Sequence, residues 1–252
     1  MLKTRIIPKL LLRNGRSVKG TRFVDLRDVG TPVSNARIYN AQSVDELLFL
    51  DIEGSTAARG LLLDIVAQTG EECFMPLTVG GGIRDTEDVA CLLRAGADKI
   101  AVNTLAFESR TFLPNIADRY GKQCVVVSVD VRATNVSPHE VWICGGTQPT
   151  GMELWTHLDR IVAEGAGEIL LTSIDSDGTM QGYDIPLLRE AAARYPVPII
   201  ASGGAGTLQH LVDAICGAQV SAVAVGSLFH FTDQSPIKAR SFLHGAGLNV
   251  RA

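Results

Sequence analysis

The sequence predicts one α/β domain of the (β/α)8 barrel class, a TIM barrel, and three observations lead to this fold. The 252 residues are 46% hydrophobic, which suits one large core. Eight short apolar runs alternate with eight helical stretches, which is the element count of such a barrel. Motifs from the first half of the chain also recur in the second half, as expected for two half-barrels. A doubly wound open sheet is the alternative for the same alternation.

Eight runs of aliphatic and β-branched residues predict the strands of the barrel. In chain order they cover 5–12, 46–52, 76–79, 98–103, 124–131, 168–174, 197–202 and 221–227. Helices are predicted at 32–43, 56–69, 85–95, 106–119, 152–165, 184–194, 207–217 and 235–246. Long loops are predicted at 13–31 and 132–150, each after a strand, and therefore at the carboxyl-terminal face where barrel active sites lie.

The internal repeat joins two pairs of segments. GGGIRDTEDVACLLRAGADKIAVNTLAF (80–107) aligns with GGAGTLQHLVDAICGAQVSAVAVGSLFHF (203–231), and DELLFLDI (45–52) aligns with GEILLTSI (167–174). Because the spacing is close to half the chain, the repeat predicts a single domain over 1–252 built from half-barrels of roughly 1–122 and 123–252.

Composition and charge exclude several classes of function. The net charge of −4 gives no basic footprint for nucleic acid, and no apolar run approaches the roughly 20 residues of a membrane span. We therefore expect a cytoplasmic protein without nucleic-acid or membrane contacts. The five cysteines have no C-x-x-C spacing, so we expect them to be buried as small apolar residues in a reducing cytosol. Neither a metal site nor a cofactor is predicted.

Two glycine-rich turns predict binding sites for phosphate, since bare backbone amides and a following helix amino terminus favour anions. Each half of the chain has such a turn after its third strand and a small or amide residue ending its fourth. The first cradle consists of Gly81, Gly82, Asn103 and Thr104, and the second of Gly203, Gly204, Gly226 and Ser227. Asp177 and Gly178 are expected in a loop over the second cradle. Two cradles at one mouth indicate a long ligand with a phosphate at each end.

The motifs SVKG, DELLFLDI, TVGGGIRD, GADKIAVNT, VVVSVDV, GAGEILLTSIDSDGT and PIIASGGAG together resemble the cyclase subunit of imidazole glycerol phosphate synthase, over nearly the whole chain. The resemblance implies a lyase of histidine biosynthesis that joins ammonia to a bis-phosphorylated aminoimidazole ribotide. It also implies a heterodimer with a HisH-type glutaminase, which supplies the ammonia through the barrel. Two aspartates, ending the first and fifth strands, act as acid and base in this family.

The resemblance fails at one of these two aspartates. The second is present as Asp130, but the first falls at Leu11, and the family's usual cysteine two residues earlier is Lys9. Loss of one acid–base group typically lowers the rate by about 10²–10⁴-fold. Asp51 is a candidate for partial compensation. Because burying an unpaired ammonium is unfavourable, we expect Lys9 to pair with Asp51 or Asp130, or to reach into the tunnel.

A charged ring at the amino-terminal end of the barrel is retained. In the family, four residues gate the ammonia tunnel, and they fall here on Arg5, Glu46, Lys99 and Glu168. Two cations and two anions can neutralise one another there. Asp98, at the position that faces the glutaminase in the family, is present as well.

Three hypotheses for function follow. The first is a divergent relative that keeps the fold, the ammonia route and the glutaminase contact, serves ammonia transfer or amidation of surface nucleotide sugars, and has impaired cyclase chemistry. The second is an authentic cyclase of histidine biosynthesis. The third is a non-catalytic barrel that only scaffolds a glutaminase. The retained ring favours the first hypothesis over the third, and Leu11 disfavours the second.

Overall fold

The computed structural model describes residues 3–54, 56–135 and 137–251, and within them the chain forms twelve strands. They are β1 (Arg5–Arg13), β2 (Arg16–Thr21), β3 (Val24–Asp28), β4 (Leu47–Asp51), β5 (Leu77–Gly80), β6 (Lys99–Val102), β7 (Val125–Arg132), β8 (Glu140–Ile143), β9 (Gln148–Glu153), β10 (Glu168–Ser173), β11 (Ile199–Ser202) and β12 (Ala222–Val225).

Eight of these strands close a parallel barrel. The order around it is β1, β4, β5, β6, β7, β10, β11 and β12, and β12 pairs in parallel with β1 to complete the circle. The predicted (β/α)8 barrel is therefore confirmed, and the open-sheet alternative is wrong because an open sheet has two unpaired edges. The eight strands match the eight predicted runs in order.

Ten α-helices occur among the described residues. They are α1 (Pro32–Ala41), α2 (Thr56–Glu72), α3 (Thr86–Ala95), α4 (Thr104–Glu108), α5 (Phe112–Tyr120), α6 (Leu154–Ala163), α7 (Ile185–Arg194), α8 (Leu208–Val212), α9 (Ser227–Phe231) and α10 (Pro236–Gly245). A π-helical turn, Asp213–Gly217, continues α8. The helix predicted at 106–119 is divided into α4 and α5, whereas α9 is additional to the prediction. Both α4 and α9 begin two residues after a barrel strand, at the last residue of a predicted cradle.

Two cores lie on the two faces of the barrel wall. The outer core packs the helices against the outward side chains, such as Ile6 and Leu10 of β1. The inner core is a small apolar layer inside the barrel, to which β1 contributes Ile7. Its other members are Leu48, Ala101, Val126, Leu170, Ile200, Ala222 and Ala224. Since side chains alternate along a strand, Lys9 and Leu11 lie on the same inner face as Ile7, as predicted.

Antiparallel hairpins occupy the two segments that were predicted as loops. β2 extends β1 and pairs with β3, while β8 extends β7 and pairs with β9. Their polar sequences gave no strand signal, because their pairing depends on the projecting ends of β1 and β7. Both hairpins stand at the carboxyl-terminal face, so the prediction that these segments frame the mouth is right in position and wrong in conformation.

Three further points concern the chain as a whole. No helix in the described ranges is long and apolar enough to cross a membrane. The ends of the predicted domain, residues 1, 2 and 252, lie outside the described residues. The division into two similar half-barrels stays a prediction.

Candidate functional site

A cavity of about 520 Å³ opens at the carboxyl-terminal mouth of the barrel. Its walls come from the ends of β4, β5, β6 and β7 and from the β8–β9 hairpin. Residues that line it include Asp51, Gly82, Asn103, Thr104, Asp130 and Gly145. The first cradle and the predicted catalytic aspartate therefore share one cavity.

In the first cradle, close backbone packing requires glycine. Gly81 has a φ of +101°, and a Cβ there would lie 1.9 Å from the carbonyl oxygen of Asp51. Asn103 follows β6 with φ −119° and ψ −83°, and α4 begins at the next residue. Its side-chain Oδ1 is buried and has no hydrogen-bond partner among the described residues. The turn thus leaves one buried polar atom of a cavity-lining residue, Asn103 Oδ1, that the described part of the chain does not satisfy.

The second cradle repeats this geometry on the other side of the barrel. Gly226 follows β12 with φ −118° and ψ −80°, within a few degrees of Asn103, and α9 begins at the next residue. Gly204 has a φ of +112°, and a Cβ there would lie 1.9 Å from the carbonyl oxygen of Gly182. The Ser227 hydroxyl is buried without a hydrogen-bond partner in the described part of the chain. All four residues of this cradle are buried.

Asp177 lies beside the second cradle between two buried lysines. Its Oδ1 is 3.3 Å from Lys9 Nζ, and its Oδ2 is 2.7 Å from Lys19 Nζ. Lys9 also donates to the Ser202 hydroxyl at 2.8 Å. Burial alone would raise the pKa of Asp177, but Lys9 and Lys19 outweigh it and hold this pKa below its usual value. The prediction that Lys9 pairs with an inward acid is right, but the acid is Asp177 and neither Asp51 nor Asp130.

The β2–β3 hairpin brings this cluster together. The loop after β10 packs against the hairpin so closely that a Cβ on Gly178 would lie 2.2 Å from the carbonyl oxygen of Gly20. The Arg22 amide donates to the Asp177 carbonyl at 2.7 Å. Lys19 therefore meets Asp177 from the hairpin, and each carboxylate oxygen of Asp177 is in contact with a lysine.

Asp130 projects inward from β7 and is buried. Asn103 Nδ2 donates to its Oδ2 at 3.0 Å. Burial raises the pKa of Asp130, Lys9 acts in the opposite direction, and the sum is a pKa of about 7. A carboxyl group with this pKa can both accept and release a proton near neutral pH.

The charged ring at the opposite end of the barrel is closed. Arg5 contacts Glu46 at 2.7 Å and Glu168 at 2.5 Å, and Lys99 contacts the same two carboxylates at 2.9 and 2.7 Å. Each charge thus touches both opposite charges. Burial acts to raise the pKa of Glu168, but Arg5 and Lys99 outweigh it and leave this pKa lowered. We call these four residues the charge ring.

Comparison with known proteins identifies the family. Residues 5–235 match the family described as "Histidine biosynthesis protein". The imidazole glycerol phosphate synthase subunit HisF of Caulobacter vibrioides is 49% identical over 252 residues, covering 100% of this chain and 97% of that protein. The HisF subunit of Hyphomonas neptunium is 50% identical over 251 residues, covering 100% and 99%. The chain belongs to the HisF family.

The position where the family resemblance implies a catalytic aspartate is occupied by an apolar residue, Leu11. Leu11 lies in register with Leu50 of β4 and with Val18 of β2, and it is buried. Leu50 itself lines the cavity. The end of β1 therefore carries no proton donor or acceptor on its side chain at this position.

Asp51 is bound into the turn after β4. It lies in register with Leu12, whose side chain belongs to the outer core, so Asp51 projects from the strand face opposite to that of Leu11 and Leu50. Its Oδ1 accepts the Glu53 amide at 3.0 Å. Its suggested role as a compensating acid stays a prediction, and this register does not favour it.

Lys19 is the functional candidate that sequence reasoning missed. It belongs to the SVKG motif, which contributed to the HisF-family resemblance, yet no role was assigned to it. It is 2% exposed, and its stem lies against Gly226 of the second cradle. Its place in a motif of the family was the one feature of the sequence that pointed to Lys19. Its burial depends on the β2–β3 hairpin, which the sequence did not predict.

The cysteine prediction is wrong for two of the five residues. Cys73 and Cys124 are buried and Cys91 is partly buried, but Cys144 and Cys216 are exposed. Cys144 stands in the turn between β8 and β9, at the edge of the cavity. Within the described ranges, no group of three or more His, Cys, Asp or Glu side chains is placed to hold a metal ion.

Burial of Asp130 predicts a specific dependence of stability on pH. Its pKa rises from 3.8 to about 7 on folding, so between these values the folded state holds a proton that the unfolded state has lost. Its contribution to the free energy of unfolding must therefore fall as pH rises from 4 to 7. Asp130→Asn should remove this contribution and gain stability relative to the wild type by on the order of 3 kcal/mol across that range.

Urea unfolding at several pH values between 4 and 8 measures the difference. The matched control is Asp118→Asn, which changes an exposed carboxylate on α5 and should give a curve parallel to that of the wild type. If the curve for Asp130→Asn were parallel to that of the wild type, folding would not raise the pKa of Asp130.

Proposed function

We propose that this chain is the cyclase subunit of an imidazole glycerol phosphate synthase in histidine biosynthesis, and that it receives ammonia from a HisH-type glutaminase. The observation that carries the proposal is the pair of cradles with matched backbone on opposite sides of one barrel mouth. Asp130 stands on the strand that follows the first cradle. This arrangement suits a ligand that is phosphorylated at both ends and reacts in the middle.

The related proteins favour this function over a divergent role in sugar amidation. Two relatives that match the chain over its full length, at 49 and 50% identity, carry the name of the synthase subunit. The divergent role now rests on Leu11 alone. We retain it as the second candidate, because a barrel that only delivers ammonia has no need of a carboxylate at this position.

Each part of the mouth would have a distinct task in the reaction. The amides of the two cradles would hold the phosphates, and Lys19 would add a positive charge at the second one. Asp130, oriented by Asn103, would exchange protons with the reacting ribotide. Since Leu11 cannot assist, Asp130 would be the main acid–base group, and the turnover is expected to be slower than that of a cyclase with both carboxylates.

The charge ring would admit ammonia from the opposite end. Its four charges close the amino-terminal end of the barrel, and the apolar inner layer begins directly behind it. A glutaminase docked over the ring would exclude water and could displace one of its side chains. Asp98 would face that partner, and its Oδ2 accepts the Leu77 amide at 2.8 Å.

Turnover of the ribotide by the purified chain with free ammonium tests the proposal. Formation of the imidazole product, even at a rate about 10²–10⁴-fold below that of a cyclase with both aspartates, supports an authentic cyclase. The second candidate would be favoured if the chain forms no imidazole product with ammonium but binds the glutaminase and supports its release of ammonia from glutamine.

Charge reversal at Asp98 is predicted to weaken the complex with the glutaminase. Asp98→Lys should raise the Kd by about tenfold or more. The variant loses the negative charge that would attract a positive group of the partner, and its new positive charge would repel that group. Asp98→Asn separates charge from structure, since its amide oxygen can still accept the Leu77 amide. Glu190→Lys, an exposed change on α7, is the control for net charge. Titration calorimetry with the HisH-type subunit of the same organism measures the three variants, and an unchanged Kd for Asp98→Lys would remove this face from the interface.

A further inference from the structure

Lys9 occupies a position that connects both sides of the second cradle. It projects inward from β1, is 4% exposed, and bonds to Asp177 from the loop after β10 and to Ser202 at the end of β11. Ser202 directly precedes Gly203 and Gly204. Lys9 thus holds the strand end that leads into the cradle as well as the carboxylate beside it.

The two lysines use different oxygens of the same carboxylate. Lys9 contacts Oδ1 of Asp177 and Lys19 contacts Oδ2, so either lysine can leave while the other stays paired. With one carboxylate and two ammonium groups, this cluster has a net charge of +1. A buried cluster with an excess positive charge attracts an anion.

Lys19 is the member of the cluster that can reach the anion. A Cβ on Gly226 would lie 3.3 Å from Lys19 Cε, so the lysine stem fills the space that the Asn103 side chain occupies in the first cradle. This contact gives a physical reason why the second half of the chain has glycine, Gly226, where the first half has Asn103. Burial lowers the pKa of Lys19 and outweighs the opposing effect of Asp177, and the charge of Lys9 adds to the lowering, so a second anion near Lys19 would favour its charged form.

We propose that Lys9 is a positioning residue of the second cradle, which keeps Asp177 paired when Lys19 turns from that carboxylate to an arriving phosphate. Without Lys9, the phosphate would compete with Asp177 for Lys19, and its binding would leave a buried carboxylate without a partner. This inference deepens the proposed function, since it takes the second cradle as a phosphate site.

Titration with inorganic phosphate, followed by the backbone amide signals of the two cradles in NMR spectra, tests the role of Lys9. Lys9→Met keeps the length of the side chain and removes its charge. We expect the Kd reported by Gly204 and Ser227 to rise about tenfold, equivalent to 1.4 kcal/mol. The Kd reported by Gly82 and Thr104 should be unchanged, which makes the first cradle an internal control.

A double variant separates this role from a merely structural one. Lys9→Met has a net cluster charge of zero, whereas Lys9→Met with Asp177→Asn returns it to +1 through Lys19 alone. The double variant should recover a phosphate Kd within about threefold of the wild type, since most of the tenfold loss is electrostatic. If Lys9→Met does not fold, Lys9→Gln is measured in its place; it removes the same charge, so the Kd should also rise, but by less than about tenfold because its amide can still donate to Asp177 or Ser202.

The outcomes separate this inference from the proposed function. Phosphate shifts at both cradles of the wild type with no effect of Lys9→Met would overturn the role of Lys9 alone. A loss that the double variant does not recover would also overturn it, by pointing to a packing defect. No phosphate shift at either cradle of the wild type would overturn the phosphate sites themselves, and the inference with them.

Discussion

Asp130→Asn is expected to lower turnover of the ribotide by about 10²–10⁴-fold, with little change in KM. Asparagine fills the same space and can keep a hydrogen bond to Asn103, but it neither accepts nor releases a proton. Leu11 provides no second acid–base group, so no carboxylate at that position of β1 shares the task. Steady-state rates with ammonium, at several ribotide concentrations, separate kcat from KM.

The pH profile of the rate gives an independent check. In the wild type a group with a pKa of about 7 should control the rate, and in Asp130→Asn that titration should disappear. Asp175→Asn is the matched control, because Asp175 is an exposed carboxylate after β10 that bonds to the Ala133 amide. An asparagine variant with wild-type rate would mean that the proton transfers take place elsewhere in the mouth.

Restoring the missing carboxylate should raise kcat, and the gain should be larger when Lys9 is changed as well. Leu11→Asp places the new carboxylate two residues from Lys9 on the same strand face, where the ammonium would pair with it and restrain it. We therefore expect a partial gain from Leu11→Asp alone, and a gain approaching about 10²-fold from Leu11→Asp with Lys9→Cys. The double variant should also show a higher KM, because it has lost the lysine that holds Asp177.

Two further variants complete this comparison. Lys9→Cys alone should raise KM without raising kcat, and Leu11→Asn should leave kcat unchanged because it adds polarity without an ionisable group. Equal kcat values for the wild type and the double variant would indicate that the chain has another acid in place of the HisF-family aspartate.

The sequence was sufficient where the signal was local. The apolar runs predicted all eight barrel strands, and the glycines of the two cradles were found because their spacing repeats. Gly81 and Gly204 show the physical basis of that signal, since any larger residue at either position would collide with a neighbouring carbonyl oxygen.

The contacts around Lys9 could not be derived in the same way. The inward direction of Lys9 follows from strand alternation, but its partner Asp177 is 168 residues away in the chain. The choice between Asp51, Asp130 and Asp177 depends on the β2–β3 hairpin and on the loop that packs against it. Neither was visible in the alternation of apolar residues, because both depend on tertiary contacts of polar segments.

The single apolar layer inside the barrel has an electrical consequence. On β1, Arg5 of the charge ring and Lys9 of the mouth are separated by Ile7 and lie roughly 13 Å apart at the rise of an extended strand. With an effective dielectric constant of about 20, two unit charges at that distance interact by about 1.3 kcal/mol, which corresponds to nearly one pKa unit. If a docked partner displaces one charge of the ring, the remaining net charge is felt by ionisable groups at the mouth. The two ends of the barrel can therefore be coupled electrostatically, without any movement of the strands.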